Sequence, residues 1–376
     1  MATLIYDVTE LQNINLDLAG DYELANDIDA SATVGWNAGA GFLPIGRTAP
    51  YFTGTLDGKN HTITGLFINR PATDDVGLFG YIKGGIIKNL YLEDSDITAD
   101  DYVGGLTGDT LDGAEITNVH VQGTVVGDAF VGGFAGWVGE TATPDIFTRC
   151  SADVDVTGTR VGGFAYGVGS ATFSQCYSIG DVESTVGFAG GFIGIAYGNN
   201  RVVTFDDCYS RGDVHAADSA GGFIAVEQVW GTGSVTLTHC YSTGAVTSDI
   251  ADLGGFACGD SGATTYSDCF WDTQTSGTAV SVGGTGKTTA QMKTKTTFSG
   301  WDFSSIWSIT TYCNDGYPCL LNTTPNCALI PSIQGTQVKE IIALEAMRNI
   351  EMSCMGRVYV DEEGNLTYES RYARNP

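Results

Sequence analysis

The chain has 376 residues, enough for two ordinary domains or one elongated one, and at 43% apolar it can fill a core. With 44 acidic against 17 basic residues its net charge is −27, a field that repels nucleic acid and anionic membranes, so no nucleic-acid partner is expected. That charge suits a secreted or surface-exposed protein, a salty environment or calcium binding, and it also keeps an apolar-rich repeat soluble.

Glycine, at 52 residues against 8 prolines, points to many tight turns or closely stacked backbones. No apolar run approaches 18 residues, so no membrane span is expected. The first residues, MATLIYDVTELQNINLDLAG, carry no basic n-region, apolar h-region or small-residue cleavage site. The expectation is a removed leader or another route out of a cytoplasm, such as virion release by lysis. DVTELQNI (7–14) predicts a short helix with Thr9 as N-cap, and YELANDID a strand; together they cap the N-terminal end over residues 1–50.

From residue 51 to 272 the chain repeats itself. VGLFG (76–80) is followed by VGGLTG (103–108), VGGFAG (131–136), VGGFAYG (161–167), AGGFIG (189–194), AGGFIA (220–225) and LGGFACG (253–259), at a period of about 28 to 33 residues. A second marker lies between them: RCSADVDV, QCYSIGDV, DCYSRGDV, HCYSTGAV and DCFWDTQT. Stretches such as SVTLTHCYSTGAV alternate at period two and are rich in Val, Thr and Tyr, with Gly, Asp and Ser turns between. Each unit therefore predicts one coil of two or three short strands, coils stacking about 4.8 Å apart as parallel sheets. The Phe, Leu and Val of GGF and V-x-V should point inward, and the glycine pairs mark bends where a Cβ would meet the next coil. A β-propeller blade needs about 40 residues and four strands, more than these units supply.

Several residues invite chemistry. Cys150, Cys176, Cys208, Cys240 and Cys269 recur once per unit at gaps of 26, 32, 32 and 29, which predicts a buried ladder of reduced thiols. Asp74 and Asp75, and Asp100 and Asp101, each precede a repeat marker, so they should share a corner of adjacent coils and offer four carboxylates to one calcium ion; Asp206–Asp207 is a third such pair. Aspartate is also simply a good turn residue. Trp137, Tyr166, Tyr197 and Trp230 flank the markers and are the candidates for gripping sugars; aromatics also pack loops onto a solenoid. His61, His120, His215 and His239 are scattered, with no H-E-x-x-H and no triad order.

Beyond the repeats, SVGGTGKTTA (281–290) looks like a phosphate-binding loop, but serine stands at 281 where the first glycine should be, and no apolar strand delivers it. Nucleotide binding is not expected. YCNDGYPCLLNTTPNC predicts a disulfide among Cys313, Cys319 and Cys327, either Cys313–Cys319 or one of these with Cys327. The tail, residues 331–376, reads as a helix over 336–353 followed by a hairpin with DEEGN as its turn. About 45 residues are too few to stand alone, so Ile341, Leu344, Met347, Tyr359 and Tyr368 are expected to dock the tail on the solenoid or on another chain.

GGFAG, GGFIG and GGLTG resemble the GLUG repeat of bacterial and archaeal surface proteins. The likeness extends upstream through LQNINLDLAGDYELANDIDA, FLPIG and FTGTLDGKNHTITGLFI. Downstream it includes the closing segment CFWDTQTSGTAVSVGGTGKTTAQMKTKTTFSGWDFSSIWSI with GYPCL, and it covers about residues 9–322. YVDEEGNLTYESR in the tail is similar to short modules of phage tail and minor structural proteins. The resemblance implies an all-β fold, a right-handed parallel β-helix (β-solenoid) closed by residues 273–330, with the N-terminal cap and a small C-terminal α+β tail. It also implies a non-enzymatic, adhesin-like surface or virion protein without a required cofactor, calcium aside. Self-association, other structural subunits and cell-surface glycans are the expected partners. The alternatives are a depolymerase or polysaccharide lyase, which needs an acidic groove beside a basic residue, and a lectin-like module, which needs clustered exposed aromatics.

Overall fold

Each repeat forms one turn of a parallel β-solenoid. In the computed structural model, residues 2–229, 231–250, 252–259, 262–310 and 313–321 are described, with the backbone of two further strands, Arg357–Val360 and Leu366–Glu369. A typical coil runs through Ala171–Ser174, Tyr177–Ser178, Val182–Ser184, Ala189–Gly190 and Ile193–Tyr197, five short strands where two or three were expected. The next coil repeats them in parallel register: Phe173↔Phe205, Tyr177↔Tyr209, Val182↔Val214, Ala189↔Ala220 and Ile193↔Ile224. One sheet runs from Val103–Gly104 to Asp252–Gly254 and a second from Phe79–Lys83 to Ala257–Gly259; the remaining coil strands belong to a third.

The extra breaks have a backbone cause. Asn89, Asn118, Arg149, Gln175, Asp207, His239 and Asp268 all adopt left-handed conformations, with φ between 51° and 56°. Each directly precedes an inward residue of the ladder Leu90, Val119, Cys150, Cys176, Cys208, Cys240 and Cys269. The conformation costs a non-glycine residue roughly 1–2 kcal/mol, which the stacking on either side must offset. At the opposite corner the glycine pairs are enforced by contact. A Cβ on Gly163, Gly191 or Gly222 would lie 2.1 Å from the carbonyl oxygen of Gly191, Gly222 or Gly255 in the following coil.

The core is a set of ladders. Phe134, Phe164, Phe192, Phe223 and Phe256 stack with centroids 4.5, 4.9, 4.8 and 5.0 Å apart. Phe147, Phe173 and Phe205 stack at 4.9 and 5.0 Å and meet the first row edge to face, so both favoured aromatic geometries occur together. The five ladder cysteines are free and buried, and burial pushes the thiols of Cys150, Cys176 and Cys240 up.

The N-terminal helix is Val8–Gln12, and its N-cap is Asp7 rather than Thr9. The carboxylate of Asp7 accepts from the backbone N–H groups of both Thr9 and Glu10, at 2.8 and 2.9 Å; because the helix starts at Val8, Thr9 lies within its first turn and its own N–H is one of the groups being capped. Thr3–Ile5 pairs with Asp21–Leu24, which pairs with Thr55–Thr64, so the cap is itself in register with the coils.

The phosphate-loop look-alike is structural. Thr285–Lys287 is a strand paired with Phe270–Asp272. Its Gly286 lies under the Trp271 ring, with an added Cβ 3.0 Å from Cζ2, while a Cβ on Gly283 would meet Tyr266 at 2.3 Å. Ser281 Oγ accepts from the N–H groups of Phe256 and Ala257 at 3.2 and 2.9 Å, closing the edge of the last coil.

The chain divides into two compact units, Met1–Met292 and Lys293–Pro376. In the second, Trp307–Ser308 pairs antiparallel with Cys319–Leu320, Trp301 and Trp307 pack at 4.6 Å, and Cys313 is bonded to Cys319. Arg357–Val360 and Leu366–Glu369 pair antiparallel, as the hairpin reading expects, with Tyr359 opposite Thr367 and Tyr368 opposite Val358. The side chains of Tyr359 and Tyr368 lie outside the described residues, as do Cys327, Ile341, Leu344 and Met347.

Candidate binding face

The sheet that begins at Phe79–Lys83 gathers both groups of candidates. Tyr81, Asp109, Trp137 and Gly167 hold one register position on four successive strands. At the neighbouring corner Asp75, Tyr102 and Phe130 hold another, all left-handed at φ 59°, 56° and 60°. Tyr51 stacks on Tyr81 at 4.4 Å, and the other rings form one array: Tyr102 on Phe130 at 4.6 Å, Phe130 to Tyr166 at 5.2 Å, Phe130 to Trp137 at 6.4 Å and Trp137 to Tyr197 at 5.3 Å. Arg160 sits 5.6 Å over Phe130. Trp137 lies across Gly167, where an added Cβ would be 2.2 Å from its ring, so the next coil supplies no side chain at that position.

Of the sequence candidates, Trp137, Tyr166 and Tyr197 thus come together. Trp137 and Tyr197 are partly exposed, but Tyr166 is 2% exposed and supports the array from below rather than presenting a surface. Trp230 lies outside the described residues. Tyr102 and Phe130 join the array, and Tyr51 and Tyr81 stack as a separate pair, without having been singled out by sequence; the signal of Tyr81, Tyr102 and Phe130 was a bulky aromatic one residue from a repeat marker, and Tyr51 carried none.

The acidic corner adjoins this array, with its carboxylates grouped otherwise than the four-carboxylate expectation. DDVGLFG and DDYVGGLTG align through Val76 and Val103, so the inserted Tyr102 takes the place of Asp75, and Asp74 pairs with Asp101. Asp74 Oδ1 accepts from the N–H of Asp101 at 3.4 Å, and Asp101 Oδ1 accepts from the N–H of Ala129 at 3.0 Å. The four-carboxylate grouping does not form: Asp100, Asp101 and Asp128 converge within 4.8 Å, while Asp75 turns inward to Tyr81. Three carboxylates supply part of the six to eight oxygens that calcium takes. Burial, followed by the charges of Asp100, Asp74 and Asp128, raises the pKa of Asp101.

Behind the rings lies a buried carboxyl the sequence did not reveal. Asp109 is 4% exposed, and burial, then Glu140, Asp75 and Asp145, pushes its pKa well above the carboxylate range. Asp145, also buried, accepts from the N–H groups of Gly113, Ala114 and Gly139 at 2.9, 2.8 and 3.0 Å and is a turn brace. Elsewhere, Asp206, Asp207 and His239 meet at the left-handed corner, with His239 Nδ1 3.8 and 3.5 Å from the two carboxylates.

Comparison with known proteins adds relatives of the same kind. A profile of the M26 IgA1-specific metallo-endopeptidase N-terminal region matches residues 5–123. Over 157 residues, 40% of the chain, it is 38% identical to halomucin of Haloquadratum walsbyi, covering 2% of that protein. Over 123 residues, 33% of the chain, it is 31% identical to an immunoglobulin A1 protease of Streptococcus sanguinis, covering 6% of it. A crystal structure from Bacteroides ovatus, described as a candidate immunoglobulin A1 protease, aligns with a TM-score of 0.58 over 85% of this chain and 92% of that one. At 17% identity this likeness concerns the fold. The chain therefore resembles the β-solenoid region of IgA1-protease-like and surface proteins, and spans only a small part of its curated relatives. No helix among the described residues is long and apolar enough to cross a membrane.

Proposed function

We propose that this chain is a non-catalytic β-solenoid of a surface or virion-associated protein that presents its aromatic and acidic face to glycans, while the tail of residues 331–376 joins it to copies of itself or to other structural subunits. The observation that carries the reading is the continuous array from Tyr102 through Phe130 to Trp137 and Tyr197, bordered by Asp74, Asp100, Asp101 and Asp128. Partly exposed rings beside carboxylates suit sugars, whose C–H faces stack on aromatics and whose hydroxyls hydrogen-bond to the acids. The GLUG-type repeats and the likeness to halomucin support a surface location. Glycan-array binding of the whole chain, compared with a Phe130→Ala/Tyr197→Ala variant, tests this; a wild type that binds nothing, or a variant that binds as well, refutes it.

A second reading, a part in proteolysis, is favoured by the match of residues 5–123 to the M26 N-terminal region. In that case the solenoid would be the substrate-positioning portion of a peptidase. Incubation with immunoglobulin A1 separates the two: cleavage by this chain alone would replace the first reading, and binding without cleavage would join them. A bound polysaccharide that becomes shorter would instead favour the depolymerase alternative, for which Arg160, over the Phe130 ring, is the nearest basic candidate in the array.

A further inference from the structure

Asp109 Oδ1 and Trp137 Nε1 are both buried without a hydrogen-bond partner among the described residues. They belong to residues in register on neighbouring strands, so both side chains leave the sheet on one side, about 4.8 Å apart at the backbone. The contrast with Asp145 is sharp, since its oxygens receive three N–H groups. Burying an acceptor and a donor unmet costs stability, and a fold that needed only packing here would gain from an apolar pair. Around them stand Tyr81, in register with Asp109, and Tyr102, whose ring meets that of Trp137 edge-on at 6.5 Å.

One small group satisfies both atoms at once. A hydroxyl accepts from an indole N–H and donates to a carboxyl oxygen. We propose that Asp109 and Trp137 form the polar floor of a sugar subsite: a ligand hydroxyl accepts from Trp137 Nε1–H and donates to Asp109 Oδ1, with the rings of Tyr102 and Tyr197 flanking the sugar. Trp137 is partly exposed, and admitting the ligand to these buried atoms requires its ring to turn aside. The nearby Asp75, Asp101 and Glu140 repel anions, so the ligand is a neutral sugar rather than a uronic or sialic acid. The assignment rests on the glycan-binding reading and names its sugar class and contacts.

The test uses the full chain with neutral gluco-, manno- and galacto-oligosaccharides beside sialyllactose and oligogalacturonate, titrated calorimetrically. Trp137→Phe keeps a ring and removes the N–H; Asp109→Ala removes the acceptor. Each is expected to weaken neutral-sugar binding at least tenfold, while Asp109→Ala melts at or above the wild-type temperature. If the wild type binds and both variants bind equally well, the floor is wrong and the glycan reading stands. Preference for the acidic sugars also overturns it. A wild type that binds none of the panel removes the glycan reading and the subsite together. Should Asp109→Ala not fold, Trp137→Phe decides alone.

Discussion

The hydroxyl of Ser178 donates to the carbonyl oxygen of Gly191 at 2.6 Å across the interior of its coil. Ser210 to Gly222 and Ser242 to Gly255 repeat the bond at 2.5 and 2.8 Å. The serine of each C-Y-S marker is thus tied to the glycine pair of the same turn, and two sequence signals that looked independent are one construction.

Ser210→Ala should cost about 1–2 kcal/mol, because it leaves the Gly222 carbonyl without that buried donor. Gly191→Ala should cost more, roughly 1–3 kcal/mol or above, since its Cβ would lie 2.1 Å from a backbone oxygen that cannot move without shifting a coil. Denaturant titration of both variants checks the order; an alanine at 191 that melts with the wild type would refute the close-approach account.

Acid should unfold the chain partly through His120. Its ring is buried, Nδ1 lies 2.6 Å from Ser151 Oγ, it stacks on Tyr91 at 5.2 Å, and burial lowers its pKa to about 3. Between the unfolded value near 6.5 and about 3 the unfolded state binds one more proton here, so stability falls as pH drops through that window. Asp75 and Asp109, with raised values, act in the opposite sense and favour the folded state on acidification. The comparison is therefore with His120→Phe, whose melting temperature should fall less steeply from pH 6.5 to 4; parallel slopes would remove His120 from the acid response.

The thiol ladder should be chemically silent. Cys150, Cys176, Cys208, Cys240 and Cys269 are at most 2% exposed and are predicted to resist iodoacetamide at pH 8 in the native state and to react in guanidinium. Peptide mass mapping reads this directly; rapid native labelling of Cys208, in the middle of the ladder, would contradict the burial.

Nucleotide binding should be absent although GGTGKTT stands in the chain. Lys287→Ala should change stability by less than about 0.5 kcal/mol, as expected of a partly exposed surface side chain. Gly286→Ala should destabilise by crowding Trp271 and Thr273. Calorimetry with MgATP should give no heat of binding, and a measurable affinity lost in Lys287→Ala would revive the phosphate loop.

How far the sequence was legible follows from what repeats chemically. GGF and Cys-Tyr-Ser recur with the same side chains, so the coil, its core ladders and the reduced thiols could be read directly. The left-handed corner could not, because Arg149, Gln175, Asp207, His239 and Asp268 share a backbone conformation and no side-chain chemistry. Asp75 was grouped with Asp74, Asp100 and Asp101, but Tyr102 adds a residue within one copy of an otherwise similar string, so Asp75 falls level with Tyr102 and leaves the group. Asp109 in TGDTL carries no signal of its own in the sequence, and only the packing of Tyr81, Tyr102 and Trp137 around it shows its burial.

The left-handed corners and the glycine bends also decide how the solenoid would answer a pull on its ends. The strands of each coil are hydrogen-bonded to those of the one before and the one after, by the same short bonds at the same corners. Tension therefore peels the outermost turn while the rest stays intact, and a coil of about 30 residues pays out on the order of 100 Å of chain. Under drag the molecule lengthens in equal steps, an extensible tether whose remaining turns keep their shape until their own step comes.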